Sequence, residues 1–282
     1  MEQKNWLPGG AHLITEGDPR QTLINCQGLY ECPMDGDGSP LGPLVGYAGK
    51  YRASDSSQKN FVGLAYYNYS MADQWPAVNR WFARCLVNGP MKADEPQGTE
   101  PYRWQSKMVI LGAPMAGIKF STAVAEELGC RHIFAEKKTL KVGLMVGERD
   151  EEELRMLRYD IHPGDLVWIG EELINNFSTT KDLVAMIEEA GGVYMGIMCV
   201  INRSWPEVRE FMGKPIYSVL HVPTPQYRQD DPLIVAALAC GLPIIGKPKH
   251  DWGMLKTAMD GPILIEDDRS IDEGRDFGPL PG

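Results

Sequence analysis

From residue 108 onward, short runs rich in aliphatic and β-branched residues alternate with segments whose apolar positions recur at helical spacing. The runs at 108–111, 131–135, 166–169, 193–201 and 215–220 read as strands. Residues 121–128 and 181–190 read as helices, the second ended by Gly191-Gly192. Strands alternating with helices predict βαβ units on a parallel sheet, and hence a doubly wound α/β core. Further on, 232–240 and 249–259 read as two more helices.

The flanks read differently. Residues 1–60 are dense in Gly, Pro, Asn and Asp, with short apolar stretches at 11–15 and 22–24, which predicts small strands and turns laid over the main body as a hood. In 61–86 the residues Tyr66, Tyr69, Trp75, Val78, Trp81, Phe82 and Cys85 recur near helical spacing, predicting one or two packed helices broken near Pro76. Polar, proline-bearing 87–104 reads as a loop, charged 136–158 as a mobile loop, and acidic, Gly/Pro-rich 260–282 as a peripheral tail. The expected division is a hood over 1–60, an α/β core over 61–260 and a tail over 261–282.

Composition narrows the function classes. With 282 residues, 43% hydrophobic and 23% charged, the chain can bury a full core. A net charge of −10 argues against a surface for sequence-independent phosphate-backbone binding, so nucleic acid is not an expected partner. The first residues lack an apolar signal core, and the uncharged run 233–246 contains Pro243 and is too short for a bilayer, so a cytoplasmic protein without a membrane partner is expected. Six cysteines without a C-x-x-C pair read as free buried thiols, and five scattered histidines offer no paired ligand spacing, so no protein-built metal site is expected.

In a parallel sheet, ligands bind at the carboxyl ends of strands, where turns and helix N-termini present backbone N–H groups to anions. Two turns stand out. Gly112-Ala113-Pro114-Met115-Ala116-Gly117 directly follows a strand; its glycines allow close backbone approach and Pro114 stiffens it. It is not a P-loop, because Ile118 separates the second glycine from Lys119. The second turn runs from an apolar strand into Glu171 and Glu172, then Asn175, Asn176, Phe177, Ser178, Thr179 and Thr180. Adjacent carboxylates can accept hydrogen bonds from vicinal ribose hydroxyls, while the amide and hydroxyl side chains with backbone donors can hold a phosphate. Thr179 and Asp182 also fit the capping spacing of an ordinary βα turn, and that alternative stays open here.

On these residues the chain resembles the type I phosphoribosyltransferases, and among them orotate phosphoribosyltransferase-like proteins. The resemblance spans roughly residues 10–220. It takes in hood residues Gly10, 12–17 and Asn25, the 112–117 turn, the Glu136-Lys137-Lys138 strand end and the acidic motif. It implies that fold, with an N-terminal hood and C-terminal additions. It also implies transfer of the 5-phosphoribosyl group from phosphoribosyl pyrophosphate to a pyrimidine-like base, orotate foremost, with pyrophosphate released. Magnesium would be bound mainly through the substrate's pyrophosphate, and a homodimer is implied. By the same resemblance Ala113, Pro114, Met115, Ala116 and Gly117 would meet the pyrophosphate, with Lys137, Lys138 and Lys141 beside it. Glu171 and Glu172 would hold the ribose, Asn175, Asn176, Phe177, Ser178, Thr179 and Thr180 the 5-phosphate, and Arg203 the base's carboxylate or carbonyl.

The chain also departs from that pattern. Thr15-Glu16-Gly17 stands where the hood carries Lys-Ser-Gly, the mobile loop lacks its histidine, and Leu23 and Ile24 replace hood aromatics. Two alternatives follow: a phosphoribosyltransferase for another nucleobase, and a non-catalytic protein that binds nucleotide or phosphosugar for regulation.

Overall fold

The structure, a computed structural model, describes residues 8–54, 56–93, 106–141 and 151–260. The expected 261–282 tail therefore lies outside the described residues, as do 94–104 of the expected loop and 142–150 of the expected mobile loop. In chain order the strands are β1 (Leu29–Glu31), β2 (Leu44–Arg52), β3 (Gln58–Gly63), β4 (Ala65–Tyr67), β5 (Met108–Gly112), β6 (Arg131–Phe134), β7 (Glu136–Lys141), β8 (Glu151–Arg155), β9 (Leu166–Ile174), β10 (Val193–Asn202), β11 (Glu210–Phe211), β12 (Lys214–His221) and β13 (Ile244–Ile245). The helices are α1 (Pro19–Asn25), α2 (Ser70–Asp73), α3 (Pro76–Leu86), α4 (Gly117–Leu128), α5 (Ser178–Glu189), α6 (Pro232–Ala239) and α7 (Trp252–Asp260).

The main sheet runs β11-β12-β10-β9-β5-β6. β12, β10, β9, β5 and β6 are parallel, and β11 is an antiparallel edge. This is the doubly wound α/β core that the alternation predicts. Every residue of β5 is buried, because successive side chains face opposite covered layers. Met108 and Ile110 pack with Phe82 and Leu86 of α3 and Phe120 and Val124 of α4. Val109 and Leu111 pack with Leu183, Val184 and Ile187 of α5. The chain leaves β5 outward to β6 and returns to β9 on the other side, so the strand order reverses between β5 and β9. Connections diverge at such a switch point and leave a crevice at the carboxyl ends of the two strands.

Over this crevice sit β2 and β3 in a small sheet with β13, and the β1-β4 pair beside it. β13 comes from near the C-terminus and pairs parallel with β2, through Ile244 with Leu44 and Ile245 with Val45. Trp252 and Leu255 of α7 bury against Tyr30 and Val45. The C-terminal additions thus form part of the hood layer.

Several segments differ from the sequence expectation. Residues 11–15 and 22–24 are largely helical, not strands: a 3-10 turn spans Pro8–Leu13, and α1 is started by the Asp18 side chain accepting from Gln21 N, with Pro19 at its first position. In 61–86 the chain first makes β3 and β4, and Pro76 opens α3 instead of breaking a helix. The start of the expected loop, Val87–Met91, extends α3 as a π turn. The charged 136–158 stretch supplies an antiparallel pair, in which Lys138 of β7 stands opposite Glu153 of β8. Cross-strand charge complementarity favours that pairing where periodicity gave no sign of it.

The six cysteines are free thiols, but only Cys26, Cys32 and Cys199 are buried as expected; Cys85 and Cys130 are half-buried and Cys240 is exposed. Among the described residues no helix is long and apolar enough to cross a membrane. Leu255 is fully buried in the hood cluster, so Leu255→Ala is expected to destabilise the fold by about 2–5 kcal/mol. The measurement is the denaturant midpoint at unchanged slope.

Candidate active site

The two turns singled out in the sequence meet at the switch point. Ala113 N donates to Gly170 O at 3.0 Å, tying the turn after β5 to β9. A Cβ on Gly117 would lie 2.6 Å from Gly170 O and 3.1 Å from the Glu171 Cα, so only glycine permits this approach. Gly170 is constrained likewise, since a Cβ there would sit 2.4 Å from the Ser121 Cβ on α4. Between the turns lies a cavity of about 290 Å³, walled by Pro114, Met115 and Ala116 on one side and by residues 171–180 on the other. Ala113 itself is buried beneath it, its N–H already used.

β9 continues past the expected 166–169 to Ile174, so Glu171 and Glu172 are strand residues and not turn residues. Both line the cavity. Burial, and then the charge of Glu172, pushes the Glu171 carboxyl up to about 8. Burial raises Glu172 as well, opposed by a backbone hydrogen bond and reinforced by the Asp73 carboxylate of α2. Asp73, a residue the sequence reading passed over, is largely buried and takes an ion pair from Lys119 Nζ at 3.3 Å.

The expected Thr179 cap does not form. α5 begins at Ser178 with Phe177 in the preceding position and no side-chain cap, so this 12-residue helix turns an uncapped N-terminus toward the cavity. The first-turn N–H groups and the positive end of the helix dipole suit an anion there. Ser178 donates to Asn176 Oδ1 from N at 3.4 Å and from Oγ at 3.2 Å, which folds the loop on itself. Asn175, Asn176, Ser178, Thr179 and Thr180 all line the cavity.

A second cavity of about 300 Å³ adjoins the first through Glu172 and Leu173. Tyr47, Tyr66, Tyr67 and Tyr69 wall it on the hood side, and Arg203 lines it from the end of β10. Arg203 N bonds Ile174 O at 3.1 Å, and its guanidinium lies 5.6 Å from the Tyr47 ring centre. Its buried Nε has no partner, and burial lowers the guanidinium pKa, with Tyr47 and Tyr67 opposing. A desolvated cation with an unsatisfied donor favours an anionic or carbonyl-bearing occupant. Of these, Tyr66 and Tyr69 belong to the aromatic stripe expected to pack as helix, whereas Tyr47 and Tyr67 carried no such signal in the sequence. The run Tyr66-Tyr67-Asn68-Tyr69 places neighbours on both faces of a chain leaving a strand, which was the available hint.

Lys137 and Lys138 sit on β7 and line neither cavity. Lys141 ends β7, its side chain outside the described residues. Among the described residues no group of three or more His, Cys, Asp or Glu side chains is arranged to hold a metal.

No protein-family model matches the chain. An orotate phosphoribosyltransferase of Chlorobium phaeobacteroides is 24% identical over 122 residues, covering 43% of this chain and 56% of that protein. A second, of Caldicellulosiruptor saccharolyticus, is 24% identical over 132 residues, covering 47% of this chain and 62% of that one. The chain thus spans about three-fifths of the length of the curated relatives it matches. Among solved structures, an adenine phosphoribosyltransferase from Thermoanaerobacter pseudethanolicus aligns with a TM-score of 0.42 at 14% identity, over 56% of this chain and 89% of that one. The resemblance read from the motifs is borne out by these curated relatives, at low identity.

Glu171 gives a test of the site's electrostatics. Its folded-state pKa lies above its ordinary value, so between the usual carboxylate range and about 8 the folded chain holds a proton that the unfolded chain releases. Stability from this group is therefore lost as pH rises through that window. Glu171→Gln is expected to melt above the wild type at about pH 9 and to match it at about pH 5, as thermal melts at the two pH values will read.

Proposed function

We propose that this chain is a phosphoribosyltransferase that moves the 5-phosphoribosyl group of phosphoribosyl pyrophosphate to a pyrimidine-like base, orotate foremost. The observation that carries this reading is a single crevice walled by an acid-ended strand, an uncapped helix N-terminus and a glycine-tied turn. Each matches one part of the donor. The 5-phosphate fits the N-terminus of α5 with Ser178 and Thr179, the vicinal hydroxyls fit Glu171 and Glu172, and the pyrophosphate fits the 114–116 turn. The base fits the adjoining tyrosine-walled cavity, with its acidic edge on Arg203.

In this arrangement the bond from C1 to the pyrophosphate oxygen breaks, its electron pair leaving with pyrophosphate, while a ring nitrogen of the base bonds to C1 and gives up its proton to the departing pyrophosphate. No protein nucleophile is required. The chain's part is to align donor and acceptor and to place the carboxylates beside the positive charge that develops on the sugar. Magnesium would enter with the donor, bound mainly through its pyrophosphate, with Glu171 and Glu172 beside it in the same cavity. When bound, it supplies charge neutralisation for the leaving group.

On this reading the protein acts in the cytosol as a homodimer on small-molecule substrates, with a hood begun by residues 1–60 and completed by β4, β13 and α7. A transferase for another nucleobase is favoured by the altered hood, with Thr15-Glu16-Gly17, Leu23 and Ile24 in place of the orotate-type residues. A regulatory phosphosugar-binding protein is favoured by Lys137 and Lys138 lining neither cavity.

Incubation with phosphoribosyl pyrophosphate, magnesium and a panel of bases, with pyrophosphate release followed, separates the three. Orotate-dependent release is expected; release with a different base selects the second reading, and binding without release the third. Combined Glu171→Ala and Glu172→Ala is expected to abolish donor binding with the fold retained, and unchanged affinity by calorimetry would falsify their assignment. Arg203→Ala is expected to raise the acceptor KM about 10- to 100-fold, the loss of a hydrogen bond to a charged group, with donor affinity unchanged.

A further inference from the structure

Phe177 stands directly before α5, in the middle of the loop assigned above to the 5-phosphate, with φ 57° and ψ 14°. A bulky side chain rarely takes this left-handed conformation, which glycine adopts freely, and persists in it only where surrounding structure enforces it. The enforcing contact is visible. The Phe177 ring lies flat on Phe211, with centroids 4.7 Å apart and planes 7° from parallel. Phe211 belongs to β11, a two-residue strand whose antiparallel pairing with Lys214 and Pro215 of β12 turns it back toward the loop. The Tyr194 hydroxyl donates to Phe211 O at 3.4 Å, and both phenylalanines pack at the margin of the α5-side core.

We propose that Phe211 is a positioning residue for the phosphate loop: stacked on Phe177, it holds the left-handed turn that aims the N-terminus of α5 and the Asn176–Ser178 pair into the cavity. This rests on the phosphosugar reading of the site. The edge strand β11 thereby gains a purpose, since a glycine at 177 would reach the same backbone angles without any tether. An aromatic clasp instead pre-orders the loop before the ligand arrives, which lowers the ordering cost of binding.

The test is calorimetric titration of the full chain with ribose 5-phosphate and with phosphoribosyl pyrophosphate. Phe211→Leu keeps apolar bulk but removes the flat stack, and is expected to weaken ribose 5-phosphate binding about tenfold while leaving the melting temperature near wild type. Phe211→Tyr restores the ring and is expected to retain wild-type affinity. Adding Phe177→Gly to Phe211→Leu is expected to recover part of the loss, because the strained backbone angle then needs no support. Unchanged affinity in Phe211→Leu, or equal losses in the Leu and Tyr variants, overturns the clasp alone. A wild-type chain that binds neither sugar phosphate overturns the transferase reading, and the clasp's role with it.

Discussion

The contact between the turn after β5 and the carboxyl end of β9 is the constraint on which the site depends. It requires no side chain at 117 or 170, and it is tied by the Ala113–Gly170 hydrogen bond. Because the strand order reverses at this place, the two connections part just beyond the contact and leave the cavity between them. The walls are thus set by backbone: one turn, one strand end and one helix N-terminus, all anchored in the core cluster on the α5 side of the sheet.

Into that backbone frame the chain places charged groups whose burial is unfavourable. Glu171 and Glu172 are raised by burial and by carboxylate neighbours, Asp73 among them. Lys119 pairs with Asp73 beside them. Arg203 sits across Glu172 in the adjoining cavity with an unsatisfied Nε. Unfavourable burial of both signs beside one crevice is the usual cost of a site built for a ligand. The same logic covers Phe177, whose backbone angle is tolerated because an aromatic neighbour holds it.

The hood shows how far local pattern falls short. Asp18-Pro19 at 18–19 is a helix start that the small apolar stretch at 22–24 obscured, and Pro76 opens a helix that periodicity alone would have it interrupt. β7 and β8 pair through complementary charges, a cross-strand property that no window along one strand contains. Tyr47 and Tyr66 face one cavity only because β2 and β4 are brought together over the sheet, with β13 from about 200 residues later completing the layer. Arg203 was legible because it lies at a strand end; its tyrosine partners were not.

By itself the sequence determined the strands and helices of the core, its parallel class and the two turns where a ligand could bind. These depend on periodicity and on glycine placement, which are written along the chain. Tertiary structure alone decided that the two turns share one crevice, that Glu171 is buried enough to titrate near 8, and that Asp73, Lys119, Tyr47 and Phe211 stand beside them. Desolvation, charge proximity and ring stacking arise between segments far apart in the chain, so they come into being only when the sheet order and the hood bring those segments together.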